Sequence, residues 1–137
     1  MGVILEAKNL HLSFKGVKAL TGVEFEVAEG EFFAVIGPNG AGKTTLLNVL
    51  SGVYEPDRGE VVFLGQNLRG KSPQARARMG LARTFQGLEI FRGMSVLDNV
   101  KLGAELALPS YPLALPRAER EWRLRAWAEE VLDYLHL

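Results

Sequence analysis

The stretch GPNGAGKTT, Gly37 to Thr45, is the motif of this chain that says most about its fold and function. It fits the pattern G-x-x-x-x-G-K-[ST], in which glycines let successive backbone N–H groups point into one concavity. A helix expected over 42–50 would add unpaired amides and the positive end of its dipole. The stretch therefore predicts a phosphate-binding loop. Its predicted binding residues are Gly37, Pro38, Asn39, Gly40, Ala41, Gly42, Lys43, Thr44 and Thr45.

Three side chains in this loop have distinct predicted roles. Lys43 would bring a mobile ammonium to the β- and γ-phosphates of a nucleotide. The Thr44 hydroxyl is a hard oxygen ligand that suits Mg²⁺, and Thr45 could donate to the α-phosphate. The alternative is a glycine-rich turn without a ligand. A buried-type strand before the loop and a helix after it favour phosphate binding.

The segments around the loop predict an α/β fold. Val23 to Val27 alternates apolar and polar residues, which indicates a half-buried strand in an antiparallel sheet. Phe32 to Ile36 is apolar without alternation, which favours a strand covered on both faces, with Leu81 to Phe85 as its expected neighbour. Helices are expected after Ser72, from Ser95 and from Arg117.

Composition narrows the class of protein. The 137 residues carry 16 basic and 16 acidic side chains, so net charge offers no electrostatic argument for a nucleic-acid partner. Cysteine is absent, which excludes disulfides and thiolate metal sites. No apolar run approaches the length of a membrane-spanning helix. These features predict a cytoplasmic protein that would reach a membrane only through a partner.

With these motifs in place, the run from Asn9 to Leu68 resembles the opening of an ABC transporter ATP-binding subunit. The resemblance implies a P-loop NTPase with an ABC-type core, an N-terminal antiparallel β layer and the start of a helical subdomain. It places the nucleotide-binding core at 1–86 and the helical subdomain at 87–137. It also implies ATP and Mg²⁺ as ligands.

Two further positions match functional residues of that family. Phe14 falls where an aromatic ring stacks on adenine, and a flat apolar face can cover a purine without reading its edge. A core role for Phe14 is the alternative. Gln86 falls where a glutamine contacts Mg²⁺ and the attacking water and couples the site to the membrane subunits. A neutral amide can ligate metal and accept from water.

The phrase GLARTFQGLEIFRGMSVLDNV, which begins at Gly80, resembles subunits of branched-chain amino acid importers. An importer of another small polar solute remains an alternative. The implied partners are a second ATP-binding subunit and integral membrane permease subunits. They would hold the chain peripherally at the inner face of the cell membrane. The surface expected to receive a permease helix, with an ordinary packed loop as the alternative, comprises Leu88, Ile90, Phe91 and Met94.

Some family features are not found in the sequence. After Phe85 there is no apolar strand ending in Asp-Glu, and after residue 90 there is no serine-glycine signature. His136 is too close to the last residue to be the family's late histidine. We therefore expect only the N-terminal half of the family domain, as an artificially truncated chain, a gene fragment or one part of a longer product. We also expect an open sheet edge and no ATP hydrolysis at the family rate by the chain alone.

Two other functions compete with this interpretation. One is a non-catalytic nucleotide-binding module that assembles through its open sheet edge. The other is a GTPase or a small-molecule kinase. The second is disfavoured because the chain has no N-K-x-D and no D-x-x-G after the loop.

Overall fold

The computed structural model describes residues 2–87, 90–107 and 116–137. The chain divides into two compact units, Met1–Arg76 and Ala77–Leu137. The strands are β1 (Val3–Phe14), β2 (Val17–Ala28), β3 (Arg58–Phe63) and β4 (Gln66–Asn67). The helices are α1 (Lys43–Leu50), α2 (Pro73–Arg78), α3 (Val96–Ala107) and α4 (Arg117–Tyr134). The predicted domain boundary after residue 86 stays a prediction.

The first unit contains the predicted antiparallel layer, a four-stranded sheet in the order β2-β1-β3-β4. Strand β1 lies between two partners, with Glu6 opposite Glu26 on β2 and opposite Val62 on β3. The alternation predicted for β2 is present, since Val23, Phe25 and Val27 are half-buried while the glutamates between them are exposed. A fully buried Leu10 on β1 and a fully buried Val49 on α1 belong to the core.

Two strands predicted from apolar runs are not formed. Among the residues that the structure describes, no strand pairs with Phe32–Ile36 or with Leu81–Phe85. Phe32 is 105% exposed and Ile36 is 90% exposed. The predictions were wrong because an apolar run indicates only that both faces of a segment are buried. A strand also requires a neighbouring strand that pairs with its backbone N–H and C=O groups. Phe33 does find a partner, stacking on Phe25 with ring centroids 4.9 Å apart.

The second unit contains α3 and α4, which pack against each other. The sequence of α4 predicts two i,i+4 ion pairs in the favourable order, Glu119 with Arg123 and Glu121 with Arg125. The pair between Glu119 and Arg123 is present at 2.6 Å. The predicted pair between Glu121 and Arg125 is wrong, because Glu121 pairs with Lys101 of α3 and Arg125 pairs with Glu129. A charged side chain on a packed helix can form an ion pair with a residue of the neighbouring helix instead of a residue of its own helix. Both tryptophans lie on α4, Trp122 67% exposed and Trp127 38% exposed.

Helix α3 has the N-cap that its sequence predicts. The Ser95 hydroxyl accepts a hydrogen bond from the Asp98 amide at 3.1 Å and donates one to the Asp98 carboxylate at 2.7 Å. That donated bond, with help from Lys101, lowers the pKa of Asp98 below its ordinary value of 3.8. The stabilisation that follows is present above pH 3.8 and is lost as the pH falls through the lower folded-state pKa.

Replacing Ser95 by alanine should raise the pKa of Asp98 towards its ordinary value, because the hydroxyl donor that favours the carboxylate is removed. Carboxyl-detected NMR titration between pH 2 and 6 (roughly the range in which carboxyls titrate) measures this. The matched control is Ser72→Ala, which removes the equivalent cap on α2, where Ser72 accepts from the Ala75 amide at 3.2 Å. An Asp98 titration curve that is the same in both variants and the parent would contradict the assignment.

Candidate functional site

The phosphate loop ends where α1 begins, and this junction presents free backbone donors. Leu46 closes the first helical turn by donating to Gly42 O at 2.8 Å. The amides of residues 43 to 45 therefore have no acceptor within the helix. No side chain caps this end of α1, and its first turn has no acidic residue. The positive end of the helix dipole is therefore available to an anionic ligand.

Gly42 is fixed at this junction by two constraints. Its φ is +90°, in the region that favours glycine. A Cβ at this position would also lie 2.5 Å from Ala19 O on β2. The backbone of the loop therefore rests directly on the backbone of β2. Only a residue without a side chain permits that approach, so the contact sets where α1 starts relative to the sheet.

Lys43 folds back over its own loop. Its ammonium donates to the carbonyl oxygen of Gly37 and, at 2.8 Å, to that of Pro38. An ammonium has three N–H donors, so these two bonds leave one for another acceptor. The side chain therefore reaches back from the start of α1 to the first two residues of the loop, at the same helix end as the free amides. Together they fit a phosphate group.

The other predicted site residues are distributed as follows. Thr44 is exposed and Thr45 is half-buried in the first turn of α1. Phe14, at the end of β1, is 42% exposed, and its ring meets Tyr54 edge-to-face at 5.1 Å. Gln86 is exposed and belongs to the second unit. The roles predicted for these residues stay predictions. Within the described ranges, no cluster of three His, Cys, Asp or Glu side chains could hold a metal.

Comparison with known proteins identifies the family. A family model described as ABC transporter matches residues 20–137, which is most of the chain. The chain belongs to the ABC transporter family. The resemblance drawn from the loop and its flanking segments is thereby confirmed.

Individual ABC relatives show how far the similarity extends. The probable branched-chain amino acid transport ATP-binding protein LivG of Archaeoglobus fulgidus is 43% identical over 102 residues, which cover 74% of this chain and 40% of that protein. The xylose/arabinose import ATP-binding protein XylG of Sulfolobus acidocaldarius is 39% identical over 106 residues, covering 77% of this chain and 42% of that protein. The chain thus spans less than half the length of these relatives.

A solved structure supports the ABC fold class. An ATP-binding cassette of an ABC transporter superposes with a TM-score of 0.80 at 33% identity, covering 100% of this chain and 55% of the other. The predicted α/β P-loop fold with an N-terminal antiparallel layer is therefore confirmed. Among the described helices, none has the length and apolar character needed to cross a bilayer.

One buried residue that contacts the C-terminal end of α1 could not be singled out from the sequence. Arg76 on α2 is 2% exposed, and its guanidinium donates to the carbonyls of Val49 and Leu50 at the end of α1. Burial lowers the pKa of Arg76, and Glu55 opposes that change. No signal in the sequence separates Arg76 from the exposed Arg78 two positions later, because burial of this side chain depends on distant segments.

Replacing Gly42 by alanine should destabilise the protein much more than replacing Gly40. Both have positive φ, +90° and +83°, but a Cβ at Gly40 would meet no atom within 4 Å. Strain at a positive φ costs about 1–3 kcal/mol, and the Gly42 variant must also displace Ala19 O. Thermal unfolding followed by circular dichroism measures the difference. Equal losses of stability in the two variants would show that the contact with β2 is unimportant.

Proposed function

We propose that this chain binds Mg-ATP at residues 37–45 and forms the N-terminal portion of the ATP-binding subunit of an ABC importer. The observation that carries the proposal is the loop itself, with free amides at the start of α1 and the Lys43 ammonium bonded back to the carbonyls of Gly37 and Pro38. Three more residues would extend the nucleotide site. Thr44 would ligate the magnesium ion, Thr45 would donate to the α-phosphate, and Phe14 would stack on adenine.

The residues of this chain would act by positioning the negatively charged phosphates of the nucleotide. Bound Mg²⁺ neutralises negative charge on the phosphate oxygens. The amides and Lys43 orient the phosphate tail, and Gln86 would place its amide toward metal and water. Phe14 is suited to stacking because its ring is partly exposed while Tyr54 braces it from one side. The expectation that the chain alone does not hydrolyse ATP at the family rate stays a prediction.

The proposed partners are a second ATP-binding subunit and integral permease subunits. A permease helix would dock on the exposed apolar residues Ile90, Phe91 and Met94, which are 57%, 60% and 39% exposed. Leu88, predicted for the same surface, lies outside the described residues. This arrangement would place the chain at the inner face of the cell membrane.

The Asn99 side chain gives this docking surface a defined shape. It accepts from the Phe91 amide at 2.8 Å and donates to the Phe91 carbonyl at 3.1 Å. It also donates to Ser95 O at 3.0 Å. These bonds hold the loop that carries Phe91 and Met94 against α3. In this loop conformation both apolar side chains are exposed.

The proposed solute is a branched-chain amino acid. The phrase from Gly80 onward favours it, and so does the similarity to LivG. The similarity to XylG is almost as strong, which favours a sugar importer as the second candidate. Both candidates would use the same loop chemistry, because the loop is proposed to bind the nucleotide and not the solute.

Replacing Lys43 by alanine should weaken Mg-ATP binding by about 10- to 100-fold, since a charge-assisted hydrogen bond contributes about 1.5–3 kcal/mol. Isothermal titration calorimetry measures the change. The control is Lys8→Ala, which removes the same charge from β1, where Lys8 pairs with Glu6 at 2.7 Å. No heat of binding in the parent protein, or equal affinity in both variants, would refute the proposal.

The solute can be tested in cells by uptake of radiolabelled leucine and xylose. Changing codon 43 to alanine should abolish leucine uptake and leave xylose uptake at its parental rate, because a loop that cannot hold ATP cannot drive its own importer. Loss of xylose uptake with normal leucine uptake would assign the chain to the sugar importer instead.

A further inference from the structure

Arg76 bonds to three separate segments of the first unit, namely the end of α1, Glu55 and residues 68–71. In addition to the two carbonyls at the end of α1, it donates to Leu68 O and to Lys71 O, each at 3.0 Å. It also pairs with the Glu55 carboxylate at 3.2 Å. All three nitrogens of the guanidinium are used, although the side chain is almost completely buried. A lysine could not reproduce this arrangement, because its donors sit on one atom.

The bonds to α1 act at the end of the helix opposite the phosphate loop. The last carbonyls of a helix have no partner within it, and a cation there is favoured by the helix dipole. Arg76 reaches Val49 O at 2.7 Å and Leu50 O at 3.0 Å. The C-terminal end of α1 is therefore held to the segment after β4 and to Glu55, while its N-terminal end rests on Ala19.

The chain leaving α1 is shaped to admit this side chain. Gly52 follows the helix with φ +83°, and a Cβ there would lie 2.7 Å from Arg76 Nε. The glycine therefore provides both the turn that ends the helix and the space for the guanidinium. A substitution at Gly52 would act on the same contact from the other side.

We propose that Arg76 is a positioning residue for the phosphate loop. It fixes the axis of α1 from its far end, and so determines where the amides of residues 43 to 45 point. The helix has 8 residues and is about 12 Å long at 1.5 Å per residue. A tilt of about 10° at the Arg76 end displaces the opposite end by about 2 Å, and misplacement of about 1 Å is enough to weaken a site that depends on alignment. This inference rests on the proposed binding of phosphates by the loop.

The variant Arg76→Lys tests the proposal in the full 137-residue chain, with Arg78→Lys as the matched control on the exposed side of the same helix. Affinities for Mg-ATP and for AMP are measured by calorimetry. We expect ATP affinity to fall about tenfold in the Arg76 variant (equivalent to one charge-assisted bond), and the ratio of ATP to AMP affinity to fall at least about threefold. The β- and γ-phosphates, which AMP lacks, depend most on the alignment of α1.

The affinity ratio separates positioning from mere folding. A smaller folded fraction weakens apparent binding of both nucleotides by the same factor. An unchanged ratio in Arg76→Lys would therefore overturn the proposal, even if stability falls. If that variant does not fold, Gly52→Ala takes its place. Its control is Gly65→Ala, a glycine of φ +73° where a Cβ would meet no atom within 4 Å.

A nucleotide-free measurement keeps this inference distinct from the proposed function. We expect the amide NMR resonances of Lys43, Thr44 and Thr45 to move in Arg76→Lys and to stay in place in Arg78→Lys. Unmoved resonances would overturn the positioning role. If the parent chain binds no Mg-ATP, the proposed function fails, while these resonances still decide whether Arg76 sets the direction of the loop amides.

Discussion

The structure of the first unit depends on the backbone contact between Gly42 and Ala19. This contact sets the starting point of α1 against β2, and the starting point decides where the free amides lie. The antiparallel sheet is thus the support on which the phosphate loop is built, since β2 supplies the carbonyl that the loop rests on. A glycine at position 42 does more than permit an unusual φ. It allows two backbones to approach more closely than any side chain would allow.

Arg76 complements this contact at the other end of the helix. A short helix has little intrinsic stability and depends on its packing. In α1 the buried face contributes Leu46 and Val49, while the C-terminal carbonyls are satisfied by a buried guanidinium. A buried charge is tolerated when its donors are satisfied and a counter-charge lies nearby. Glu55, which is about half exposed, supplies the counter-charge at the edge of the core.

Local sequence signals predicted the local features correctly. The helix after the glycine-rich loop, the alternation in β2 and the serine cap of α3 each depend on residues a few positions apart. Features set by distant segments were predicted wrongly or missed. The run Phe32–Ile36 needs a neighbouring strand, Glu121 chooses Lys101 on another helix, and Arg76 is buried by segments from residue 49 to residue 71. No periodicity in the chain encodes which distant group will be the partner.

The placement of the two tryptophans determines what intrinsic fluorescence reports. Trp122 and Trp127 both lie on α4 in the second unit, whereas the phosphate loop and Phe14 lie in the first. Indole emission therefore reports on the surroundings of α4, and unfolding of the first unit, which contains no tryptophan, needs another probe.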